Sequence, residues 1–123
     1  MEASSPALAS SLRSHLKAGG LYPEWTDKDL YEIVPEGVRQ NVLAELRPMG
    51  LPFFEESMPY YPNWPAAPCG YIKLSQAYAS PAEKAQRNDW EYYEFDAGHF
   101  HMLVEPKAVT DALVNLIRSL CPR

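Results

Sequence analysis

The sequence predicts an α/β protein in which helices over residues 1–47 precede a β-α-β-α unit with two parallel strands over residues 69–123. Three observations predict it. Leucine and valine recur at helical spacing at both ends of the chain. Two short β-prone runs stand in the second half, and a helical segment lies between them, long enough to carry the chain back for a parallel pairing.

Each element has its own signal. From Pro6 to Ala18, Leu8, Leu12 and Leu16 stand four apart on one helical face, and Gly19-Gly20 is a natural stop. Thr26 or Asp27 can cap a second short helix holding Leu30, Ile33 and Val34, which Pro35 ends by withholding an amide donor. A third helix is expected from Glu36 to Leu46, with Val38, Val42 and Leu46 on its apolar side. Residues 48–68 hold six prolines among Phe53, Phe54, Tyr60, Tyr61 and Trp64, which forbids helix or central strand over most of that length. Its aromatic content marks it as an ordered connector, because disordered segments are poor in such residues. Cys69 to Ser75 reads as a first strand, Pro81 to Arg87 as a helix and Trp90 to Phe95 as a second strand. Lys107 to Leu120, after Pro106, places Val109, Leu113, Leu116, Ile117 and Leu120 on one side of a closing helix. Two parallel strands are few for a covered sheet, so this half reads as the edge of a larger one.

The bulk properties bound the function. A chain of 123 residues with 46% hydrophobic content fits a single domain, 1–123. A net charge of −5, a pI near 5.1 and no run of three Lys or Arg argue against nucleic-acid and membrane partners. Cys69 and Cys121 form no CxxC pair and read as ordinary thiols of a reducing compartment. Met1 to Gly20 lacks the unbroken apolar stretch of a signal peptide, and nowhere do about 18 apolar residues run together. A cytoplasmic protein without metal or cofactor is the expectation.

The chemistry concentrates in Asp96-Ala97-Gly98-His99-Phe100-His101-Met102-Leu103-Val104-Glu105-Pro106, between the second strand and the last helix. This stretch resembles the histidine loop of the α/β-hydrolases, in which a Gly-His or Asp-His pair after the last core strand precedes a hydrophobic turn, a proline and the C-terminal helix. The likeness reaches back through Tyr71-Ile72-Lys73-Leu74-Ser75 and Ala85-Gln86-Arg87 to a cap-like region holding Tyr22-Pro23-Glu24-Trp25. It implies a partial α/β-hydrolase fold: a cap-like helical region (1–47), a connector (48–68) and the C-terminal β-α-β-α part (69–123). His99, seven residues before Pro106 as in the family, takes the place of the catalytic general base, and Gly98 lets the backbone turn there. Trp25, Phe53, Phe54 and Trp64 would line a channel for an ester, amide or related carbonyl substrate or, equally, only cover the sheet edge, since aromatics dominate both cores and binding sites.

Two departures accompany the match. None of the nine serines lies in a G-x-S-x-G nucleophile elbow. The loop after the first strand, where many relatives carry the acid, reads Gln76-Ala77-Tyr78-Ala79-Ser80 and has no carboxylate. The chain is therefore expected to be inactive alone, its nucleophile and acid lost or supplied by a second chain that completes the sheet. The alternative is a non-catalytic remnant or interaction module that pairs its strand edge with another chain.

Blander readings apply elsewhere. His101 with Asp96 or Glu94 offers a His-x-His metal site, but no further ligands follow at useful spacing. Ser75, at a strand end without flanking glycines, reads as a satisfied loop hydroxyl rather than a nucleophile. Glu55-Glu56 reads as a solvated pair at the end of a short helix.

Overall fold

The computed structural model describes residues 6–121. It shows a mixed α/β chain with seven α-helices and one two-stranded parallel sheet among those residues, and the chain divides into two compact units, residues 1–60 and 61–123. The boundary falls inside the proline- and aromatic-rich connector.

In the first unit, α1 (Pro6–Lys17) buries Leu16, while Leu12 is half-buried and Leu8 is exposed. The helix ends where Gly19 takes φ +90, a conformation that costs a glycine little. Beyond it, Tyr22 and Met49 form an antiparallel bridge, their amides and carbonyls exchanging bonds of 3.0 and 2.9 Å. The short α2 (Asp27–Leu30) starts at Thr26, whose amide and hydroxyl both donate to Asp29 Oδ2 at 2.7 Å. Those bonds hold the Asp29 carboxyl below its ordinary range. Leu30 and Val34 are buried, and Pro35 opens α3 (Glu36–Glu45).

The expected apolar face of α3 is only half-covered: Val38, Val42 and Leu46 are intermediate in burial, and the buried residue of the helix is Arg39. Its guanidinium reaches Asp27 Oδ1 at 2.8 Å, Tyr31 O at 3.0 Å and, at the limit of bonding distance, Val34 O at 3.5 Å. The connector holds α4 (Leu51–Glu55), the short helix expected to end at Glu55-Glu56, within a stretch whose composition argues against helix over most of its length. The physical reason is position: Pro52 sits in the first turn, where its missing amide would have had no helical partner.

In the second unit, β1 (Gly70–Lys73) and β2 (Glu91–Glu94) pair in parallel, with Gly70 opposite Glu91 and Lys73 opposite Glu94. The crossover consists of a 3₁₀ turn (Gln76–Tyr78) and α5 (Ala79–Arg87). After β2 come a short helix, α6 (His101–Val104), that periodicity could not show, and α7 (Pro106–Leu120). Both α5 and α7 pack on the two strands. Their buried residues are small, Ala82, Ala85 and Ala112, which lets the helix backbones come close to the sheet. At Gly70 an added Cβ would stand 2.7 Å from Leu116 Cδ2 and 2.9 Å from Cγ.

Register sets the polar pairing. Lys73 Nζ lies 2.8 Å from Glu94 Oε2 on the neighbouring strand, and Tyr92 Oη donates to the same oxygen at 2.7 Å. These two bonds, Lys73's first, hold the Glu94 carboxyl low, and Glu94 in turn raises the Lys73 ammonium above its ordinary value.

Candidate functional site

In parallel sheets, ligand sites gather in loops beyond the carboxyl ends of the strands. Here the two such loops leave adjacent strands and bring one residue each to a common point. Beyond β1, Ser75 is extended, and its carbonyl accepts the Tyr78 amide at 3.1 Å, closing the turn that carries Tyr78. Beyond β2, pairing continues: the Phe95 amide donates to Lys73 O at 2.8 Å and that of Ala97 to Leu74 O at 3.2 Å. Gly98 then starts a turn closed by its carbonyl accepting the His101 amide at 3.1 Å, and His99 stands in it, exposed.

Tyr78 Oη and His99 Nδ1 are 2.7 Å apart, and the two rings stack with centroids 5.4 Å apart at an interplanar angle of 19°. Phe100 meets the His99 ring edge-on at 4.8 Å. An imidazole bonded at Nδ1 and flanked by two rings is fixed in orientation, which is what a proton-transfer residue requires of its surroundings. The residue sequence reasoning missed is Tyr78. Its loop read as lacking a carboxylate, and the signal available was a tyrosine hydroxyl at the place where an acid was expected.

His101 diverges from His99 and packs on Phe95 with centroids 4.9 Å apart. Glu94 is engaged by Lys73 and Tyr92, and no three His, Cys, Asp or Glu side chains gather to hold a metal among the described residues.

The four aromatic residues expected to line a channel fall into two groups. In the first unit Tyr22 joins Trp25 and Phe54 edge-on at 6.2 Å each, and Phe53 packs on Phe54 at 5.2 Å. Trp64 belongs to the second unit and packs on Trp90 at 6.0 Å. Phe54 also lines a cavity of about 480 Å³ beside α1, with Leu16, Leu51, Arg13, Lys17 and Glu55. Glu55 and Glu56 are both exposed.

Ser75 corrects an expectation. Its hydroxyl, read as a satisfied loop group, is buried (8% exposed) and has no hydrogen-bond partner among the described residues. It lies just beyond strand β1, where the chain turns, and no polar group among the described residues bonds it. A buried, unbonded hydroxyl bears a desolvation penalty without return. Replacing Ser75 with alanine should therefore leave stability unchanged or raise it by about 1 kcal/mol in a denaturant titration. A loss of that size would show the hydroxyl to be bonded after all.

The fold and site together define a mixed α/β protein with a tyrosine–histidine pair at the carboxyl end of a parallel strand pair. Comparison with protein-family models, curated proteins and solved structures finds no match to the chain. Among the described residues, no helix is long and apolar enough to cross a membrane.

Proposed function

We propose that the chain is the cap-like and C-terminal portion of a cytoplasmic serine esterase or amidase of the α/β-hydrolase type, with His99 as its general base. The observation that carries this reading is the placement of His99: exposed, in the turn after a parallel strand, and seven residues before the proline that opens α7. In that role Nε2 takes the proton of a serine hydroxyl as its oxygen attacks the carbonyl carbon, then returns it to the leaving alcohol or amine. In this reading the serine, the acid, the oxyanion hole and the remaining strands lie outside these 123 residues and would be supplied by a second chain that completes the sheet. Against that partner the two-stranded sheet would find its missing neighbours.

The test is native capture of the tagged full chain from its own cell extract after treatment with a fluorophosphonate, which labels activated serines. The expected result is a co-purifying labelled protein whose labelling rate falls at least about 10²-fold with His99→Ala while co-purification persists. Labelling indifferent to that substitution, or no labelled partner at all, overturns the reading. The absence of labelling with a partner retained would favour the second reading, an interaction module that offers the edge of its two-stranded sheet to another strand.

A further inference from the structure

The bond between Tyr78 and His99 has a direction, and the direction decides which nitrogen of His99 carries the proton. A carboxylate at Nδ1 has only lone pairs, so it enforces an Nδ1–H and leaves Nε2 bare, ready to accept a proton. A phenol can donate or accept. Between a neutral phenol and a neutral imidazole the preference is set by their acid and base strengths. An imidazole lone pair is a far better acceptor than a phenol oxygen, and the phenol O–H is the better donor.

From the 2.7 Å contact and this asymmetry we infer that Tyr78 is a positioning residue that donates to Nδ1 and holds neutral His99 as the Nε2–H tautomer. The geometry supports a fixed pair rather than a passing contact. The rings stack at 19°, Tyr78 is carried by a turn closed on Ser75, and the His99 loop remains paired to the first strand through Phe95 and Ala97. The consequence rests on the function proposed above. With its proton on Nε2, His99 presents a donor where general-base catalysis needs a lone pair. The tyrosine thus keeps the histidine in a resting form, which an acid in the same place would not do. To act as base the pair must exchange tautomers: Nε2 gives its proton to water, Nδ1 takes one from water, and the Tyr78 hydroxyl turns so that its oxygen accepts from Nδ1–H. The number of protons on the pair is the same before and after.

The experiment is long-range ¹H–¹⁵N correlation spectroscopy of the imidazoles in the full-length, ¹⁵N-labelled chain, at a pH where histidine is neutral. Wild-type His99 should show a protonated Nε2 and a bare, hydrogen-bonded Nδ1. Tyr78→Phe keeps the ring and removes only the hydroxyl, and should move the tautomer ratio about five-fold toward Nδ1–H, the weight of one ordinary hydrogen bond. His15 and His101 serve as internal controls of folding and should keep their wild-type patterns. A protonated Nδ1 in the wild type overturns the inference without recourse to any variant, and so does an unchanged ratio in a folded Tyr78→Phe. Neither readout involves turnover or labelling. A tautomer locked as expected beside a failed fluorophosphonate test would leave the lock standing and remove the hydrolase reading alone.

Discussion

Gly70→Val should destabilise the protein by about 2–3 kcal/mol, the usual cost of forcing extra carbon into a filled contact. Gly70 lies in β1 directly under α7, and the first added atom already meets Leu116 Cδ2 at 2.7 Å and Cγ at 2.9 Å. The Cδ atom could swing aside, but Cγ moves only with the whole side chain or the helix. Valine adds two methyl groups beyond that point. The cause is therefore steric and local, and it makes a second measurement decisive. Leu116→Ala should itself be destabilising, yet in the Gly70→Val background it should recover part of the loss, giving a favourable coupling in a double-mutant cycle read by denaturant midpoints. Simple additivity of the two changes would show that α7 does not bear on β1 as described. Because the His99 loop joins β2 to α6 and α7, the Tyr78–His99 contact should weaken together with this packing.

Arg39→Ala should cost about 2–3 kcal/mol, a large effect for one polar residue and one that arises in the first unit. Pro35 lacks the amide that would have bonded the Tyr31 carbonyl four residues before it, and the Val38 amide, four residues beyond Val34, donates to Pro35 O instead. The Arg39 guanidinium, from one turn into α3, supplies the missing donors, binds Asp27 at 2.8 Å and lies 4.8 Å over the Tyr31 ring. Alanine removes all of these together. The charge pair itself is a minor part, because Asp27 is half exposed and water screens it; Asp27→Asn should cost less than about 1 kcal/mol. Arg39→Lys keeps the charge but not the planar fork, and should recover less than half of the loss. The expected signature is a lower denaturation midpoint together with lost amide protection in α2 and α3. Equal costs for Asp27→Asn and Arg39→Ala would place the energy in the ion pair instead.

Both cases show where sequence reasoning stops. Arg39 stands beside Val38 on a helix whose valines mark a plausible apolar face, and nothing local says that the arginine is the residue turned inward. Its partners, Asp27 and the carbonyls of Tyr31 and Val34, become acceptors for Arg39 only once the two helices pack. The glycine before the first strand's Tyr71-Ile72-Lys73 likewise gives no hint that a leucine 46 positions later requires it to be bare.

What the sequence determined by itself is the order of the main elements, the short α6 excepted. The four-residue spacing of Leu8, Leu12 and Leu16, the apolar stripe of Val109 to Leu120 and the strand-helix-strand succession were sufficient for helix, helix and parallel pair. Periodicity reports which face of an element is apolar, and that is a property of a dozen neighbouring residues. The tertiary structure alone decided the contacts between elements. It buried the Ser75 hydroxyl without a hydrogen-bond partner among the described residues and set Lys73 against Glu94 through strand register. It also closed Tyr78 onto His99 across 21 residues, because two loops leaving adjacent parallel strands must emerge side by side. A hydrogen bond depends on separations of tenths of an ångström, which the packing of α5 and α7 on the sheet fixes and which residue spacing does not encode.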